Sequence, residues 1–426
     1  MTLRHIRSLP LFTIALIALM LPGLAQAAWK DLSGKGFTGE NPIDVPRPEF
    51  RAAQEGMELI FQRRYNEALQ VFEVAGLDFP DSPLGPVGRS IVYQAQMFEN
   101  YDFSWDNIYL QEASEAETRF KSVRRSSDRK AWNHFLLAVH QGIGAMYQVR
   151  HLDYLAGFNL AWEALENIKK VQRLAPDFHD VQLGLGLYNY WRTAMTENID
   201  YLPKFGDHRE EGLQQMRIAK DKGLLATAPA SLVLTYSLME SKRWDEAVAE
   251  SMWARQHYPS SVLNEMTIGR VFMGMKRYDD ALSAFNQVRA LDPKNTRVYW
   301  QIGEVHYKSR KDNSAAKDAY QVYIDSNPLP EYKAHAHYRM GLVERRQRHY
   351  EQAVYQLELA VKTDPKFKAA AKKLEQVKGE QEKASAKQAE RRDRARSGRE
   401  GSGKRSGATK GTPRIEQSPV VPPSGG

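Results

Sequence analysis

The chain has 426 residues, 42% of them hydrophobic and 26% charged, and no cysteine. That composition leaves room for an extensive core and excludes disulfides, thiolate metal sites, a cysteine nucleophile and a lipid-modified N-terminal cysteine. The formal charge of +8 is unevenly placed: residues 383–414 carry 11 Lys or Arg against Glu390, Asp393 and Glu400, and Arg4 and Arg7 sit at the start, so the rest is close to neutral.

Residues 1–27 have the organisation of a secretory signal peptide. Arg4, His5 and Arg7 precede an apolar run from Leu9 to Leu21, and Ala25-Gln26-Ala27 places small residues where a signal peptidase needs them. The run is shorter than the roughly 20 residues that span a bilayer, so cleavage after Ala27 is expected, with an uncleaved anchor as the competing reading. The mature chain is then expected to be exported, most simply to a bacterial periplasm. Residues 28–48, with Gly34, Gly36, Gly39, Pro42, Pro46 and Pro48, read as a linker.

A helical region follows at 49–227. Gly56, Tyr65, Ala68, Phe72, Ala75 and Pro80 set out a first helix pair, in which Gly56 and Pro80 stand 24 residues apart, the interval from Gly269 to Pro293. Helices are expected at 85–100, 107–125, 130–150, 154–175, 181–194 and 209–222, joined by longer and less regular connections, with an insertion at 197–207.

Residues 228–367 repeat at a period of 34. The period relates Pro259 to Pro293, Ala247 to Ala281, Trp244 to Tyr278 and Gly269 to Gly303. Four copies lie end to end at 228–261, 262–295, 296–330 and 334–367. In each, a small residue in the first helix (Thr235, Gly269, Gly303, Gly341) allows close approach of the second. An early Ala in the second helix makes room, and Phe285, Tyr320 or Leu357 fills the space beside it. A closing proline ends the pair, because it has no N–H and disfavours helix in the residue before it. A period of this length marks a two-helix repeat that stacks on its neighbours, and the pattern resembles the tetratricopeptide repeat (TPR) family.

That resemblance implies an all-α, right-handed superhelical solenoid of antiparallel helix pairs, whose first helices line a concave groove for a partner segment. The groove positions it marks are Tyr236, Met266, Arg270, Arg297, Trp300, Gln301, Glu304, Tyr338, Arg339 and Arg345. Aromatic and Arg side chains carry much of the energy at interfaces, and four Arg against one Glu point to acidic peptide segments. The family's carboxylate-clamp variant needs an Asn where this chain has Tyr236, Arg270 and Glu304, so binding of chaperone C-termini is not implied.

Residues 368–390 read as a capping helix that covers the last apolar face. From Arg391 to the end the composition is basic and poor in large apolar residues, which predicts a disordered tail. Arg391, Arg392, Arg394, Arg396, Lys404 and Arg405 suit anionic polymers or lipid headgroups. Nucleic acid is set aside, because no aromatic residue is interleaved for stacking and the export signal removes the chain from it.

No catalytic or cofactor motif is present: no H-E-x-x-H, no phosphate-binding Gly loop, no G-x-S-x-G. His134, His140 and His151 lack the three- or four-residue spacing of a metal site on one helix, and His335 and His337 point apart. Trp132, Trp162, Tyr188, Tyr190 and Trp191 recur at helical spacings, which favours core packing over a ligand platform. The sequence therefore describes a non-enzymatic protein–protein interaction scaffold of the cell envelope that uses neither cofactor nor metal. The alternatives are a structural subunit of an envelope assembly, or a carbohydrate-binding or enzymatic protein using residues 130–227.

Overall fold

The computed structural model describes residues 42–100, 102–126, 128–196 and 206–403; the expected signal segment, 1–27, and most of the expected linker lie outside them. Among the described residues there are seventeen helices and no strand. They pair in chain order: α1 (Arg47–Phe61) with α2 (Tyr65–Asp78), α3 (Leu84–Asn100) with α4 (Asp106–Ser126), α5 (Lys130–Arg150) with α6 (Tyr154–Leu174), and α7 (Val181–Thr196) with α8 (Arg209–Lys222). The strong repeats supply α9 (Thr227–Glu240) with α10 (Trp244–His257), α11 (Val262–Gly274) with α12 (Tyr278–Leu291), α13 (Arg297–Ser309) with α14 (Asn313–Asp325), and α15 (Pro330–Arg346) with α16 (Tyr350–Thr363). The last helix is α17 (Lys368–Gly403). The chain divides into two compact units, residues 1–329 and 330–426.

One local device recurs. After the first helix of a pair, Arg63, Leu152, Lys242, Lys276 and Arg348 take left-handed backbone angles, with φ of 61°, 66°, 60°, 63° and 65°. The next N–H reaches back over the helix end: Arg64 to Leu59 O at 2.8 Å, Asp153 to Gln148 O at 2.9 Å, Arg243 to Leu238 O at 2.8 Å, Arg277 to Phe272 O at 2.9 Å and His349 to Glu344 O at 3.0 Å. These are Schellman closures, which satisfy the helix's last carbonyls and turn the chain into the second helix. Their presence at Leu152 shows that α5 and α6 use the same turn as the regular repeats.

The glycines expected between paired helices are found there. A Cβ on Gly56, Gly269, Gly303 or Gly341 would lie 2.3 Å from Phe72, 2.4 Å from Phe285, 2.6 Å from Tyr320 and 2.8 Å from Leu357, respectively. Ala68, Ala247, Ala281, Ala316 and Ala353 are fully buried, as are Phe285, Tyr320 and Leu357. Each pair thus meets through a small residue facing a large one, the alternation that close packing requires.

Within the first unit, α1 and α3 also touch residues about two hundred positions away. The Gln54 amide donates to Leu224 O at 3.2 Å, Ser260 Oγ to Gln62 O at 3.0 Å, and Phe61 packs on Tyr258 with ring centroids 5.5 Å apart. Arg63 donates to both Glu99 and Asp292, each at 3.0 Å. The Asn100 side chain accepts from Thr296 N at 2.8 Å, and so caps α13, whose own Thr296 makes no side-chain cap. Leu225, Ala228, Leu232, Tyr236, Tyr258 and Leu263 accordingly share one apolar core with α1–α6.

Two stretches differ from the sequence reading. At the end of the expected linker, Ile43 and Val45 are buried and the Asp44 carboxylate accepts from Ala131 N at 3.0 Å and Trp132 N at 2.7 Å, capping α5. In the second unit, α17 buries Leu374 and Val377 against Ala353 and Leu357, but it continues as helix to Gly403, past the expected boundary at 390. Arg391, Arg392, Arg394, Ala395 and Arg396 are good helix formers, which favours helix just past 390. The remainder of the expected tail, 404–426, lies outside the described residues.

Candidate partner-binding groove

The ten groove positions fall into two classes by burial. Tyr236 and Met266 are 4% and 2% exposed, and Arg297, Gln301 and Glu304 are also buried, at 8%, 8% and 5%. Arg270, Trp300, Tyr338, Arg339 and Arg345 are half-buried. The enclosure comes from the same chain. Arg297 lies over the Phe98 ring at 5.3 Å and donates to Phe98 O at 3.0 Å, so α3 covers the face of α13 that the repeat pattern assigns to a guest. Glu304 accepts from Tyr320 OH at 2.8 Å inside its own repeat. An open groove across Tyr236, Met266, Arg297, Gln301 and Glu304 is therefore not what this structure presents.

The half-buried members are held in place. The Arg270 guanidinium sits 5.0 Å from the centre of the Tyr236 ring and donates to Tyr236 OH at 3.4 Å; Tyr236 OH in turn pairs with Thr267 Oγ1 at 2.9 Å. Trp300 packs between Tyr320 and Tyr323, at 5.5 and 5.8 Å. In the second unit Tyr338 rests on Phe367 at 5.2 Å, and Arg345 grips Glu380 with two bonds of 2.8 and 2.7 Å, holding that carboxyl below its usual range.

The region 130–227 assembles no ligand platform. Trp132 and Tyr190 are fully buried and Trp191 nearly so, with Trp132 in a different core cluster from the other two. Trp162 stays on the surface, in edge contact with Tyr188 at 6.2 Å. His140 is half-buried, and desolvation pushes it down to about 4. His134 pairs with Asn167 at 2.9 Å and His151 with Asp106 at 3.0 Å. Among the described residues no group of three His, Asp or Glu side chains is gathered that could hold a metal ion, and no helix is long and apolar enough to cross a membrane.

One surface escaped the sequence reading. On α6, Leu155, Phe158 and Trp162 are 73%, 56% and 47% exposed, while Gly157, Ala164, Leu165, Ile168 and Val171 on the other side of the helix are buried. The signal was available: apolar residues at i, i+3 and i+7 in addition to a complete buried stripe make a helix with two apolar faces.

Residues 266–329 match the tetratricopeptide repeat family, which places the second and third copies of the 34-residue period in that repeat. The fold as a whole is an all-α helical-repeat solenoid carrying TPR repeats, which generally mediate protein–protein interaction. No curated protein matches the chain. Among solved structures, the human IFIT1 dimer with m7Gppp-AAAA aligns at 14% identity over 84% of this chain and 92% of that one, with a TM-score of 0.46. The APC/C hetero-tetramer Cut9–Hcn1 aligns at 13% identity over 82% and 86%, TM-score 0.33, and the P58(IPK) TPR domain at 12% over 79% and 99%, TM-score 0.26.

Proposed function

We propose that this chain is a non-enzymatic scaffold of the bacterial cell envelope that holds acidic segments of other envelope proteins. Export rests on the signal organisation of residues 1–27, and the scaffold role on the TPR repeats. The observation that carries the choice of guest is Arg270. Its guanidinium is fixed by the Tyr236 ring and hydroxyl yet half-exposed, and an ordered guanidinium loses little freedom when it meets a carboxylate. The basic end of the chain, beginning at Arg391, Arg392 and Arg394, adds contact with anionic polymers or lipid headgroups.

The test is capture of partners from an envelope extract by the full chain, the Arg270→Glu variant and a chain ending at residue 382. The scaffold reading expects capture that Arg270→Glu abolishes, with the helical circular dichroism unchanged, and that survives loss of the tail. Equal capture by Arg270→Glu, or capture that needs residues 383–426, overturns it.

A further inference from the structure

The exposed side of α6 gathers several large apolar side chains at the surface. Tyr154, at 38%, extends the face of Leu155, Phe158 and Trp162 to the start of the helix. Trp105 and Ile108, in and just before the first turn of α4, are 38% and 37% exposed. They sit at the same edge, because Asp106 binds His151 at 3.0 Å and Tyr109 stacks on Tyr147 at 4.6 Å, immediately before the turn that opens α6. From these fractions and ordinary side-chain areas the four residues of α6 alone expose roughly 500 Å², as much as the largest patch of a typical monomer and near one partner's share of a small interface.

Charge decides what can cover it. The apolar half of the helix, from Tyr154 to Trp162, carries no ionised side chain. The cations collect at the other end, where Lys169 lies 5.7 Å from the Trp162 ring centre and 5.8 Å from that of Tyr188, followed by Lys170 and Arg173. Glu166 is bound to Lys169 at 2.8 Å and Glu163 to Gln141 at 2.8 Å. Laid antiparallel on its own image, the helix overlaps its uncharged halves and sends the two basic ends in opposite directions. A two-fold axis near the level of Leu160 sets Phe158 against Trp162 of the other copy, twice, with Leu155 between Trp162 and Glu166. A parallel arrangement would bring the basic ends together.

We propose that this face is a homodimer interface: two copies of the chain pack α6 against α6 about a two-fold axis, as closed symmetric oligomers do. The pairing is separate from guest capture and does not depend on it.

Sedimentation or light scattering of the full chain across a concentration series tests the proposal. The wild type is expected to reach twice the monomer mass, and Phe158→Glu and Trp162→Glu to remain monomers with unchanged circular dichroism and melting. The absence of native cysteine makes a second readout specific. Asn159→Cys, beside the axis, is expected to form a disulfide between copies on oxidation, and Lys170→Cys, far from it, is not. A wild type that stays monomeric throughout, which would mean that something else covers the stripe, overturns the proposal. Dimers that survive both substitutions, or cross-linking at 170 and not at 159, do the same.

Discussion

Gly269 faces the ring of Phe285, which is fully buried and cannot swing aside. Gly269→Ala is therefore expected to lower stability by about 1–3 kcal/mol, the usual cost of overpacking, read from urea or thermal melts. Gly379, with nothing within 4 Å of a Cβ, is the control: Gly379→Ala should stabilise its helix by up to about 1 kcal/mol. Asp180 makes a different point. Its carboxylate accepts from Leu224 N at 3.1 Å and Leu225 N at 2.6 Å, yet burial outweighs those bonds and pushes the group up to about 6. A carboxyl held above its unfolded value favours the fold while protonated. Its contribution is complete below about pH 4, and is lost as pH rises through 6, by up to roughly 3 kcal/mol. Asp180→Asn should flatten that slope, measured as the difference between the two proteins' stabilities from pH 4 to 7. At this scale the anchors were legible in the sequence, because glycine, alanine and aromatic side chains fit together at fixed spacings within one pair. The burial of Tyr236 was not, since the core it joins includes α1–α6, chain far away in sequence.

At the scale of helices, legibility followed the same line. The 34-residue period, its small and aromatic anchors and the proline stops pointed to α1–α16, since these act inside one helix pair. Long-range capping escaped: nothing local marks Asn100 as the cap of α13 or Asp44 as the cap of α5. Asn100→Ala is expected to cost about 1–2 kcal/mol and to remove hydrogen-exchange protection from Thr296 and Arg297 at the start of α13, whereas Asn100→Asp should retain most of both. If α13 exchanges at the wild-type rate in the alanine variant, the capping role is wrong. The second apolar face of α6 was also readable, but a reading that assigns one buried stripe per helix passes over it.

At the scale of the molecule, repeat arrays are ordinarily quasi-one-dimensional: each pair touches only its neighbours, and the ends fray independently. The first unit departs from that, because Arg63 reaches Asp292 and Asn100 reaches Thr296. Its seven pairs should then melt as one cooperative block. Arg63→Ala is expected to weaken the block by about 1–3 kcal/mol, since it leaves the carboxylate of Glu99 buried without its cation. Deleting residues 42–100 should unfold α9–α13 along with the N-terminal pairs, seen as loss of more helical signal than the deleted helices account for.

The reach of Arg63 and of the end of α3 to residues 291–297 also orders events in time. A chain made from its N-terminus delivers Phe61 and Phe98 long before the surfaces that receive them have been synthesised. Through that interval the earliest hairpins remain unfinished and sticky. Any chaperone that holds the chain in that interval has its greatest work at residues 42–100.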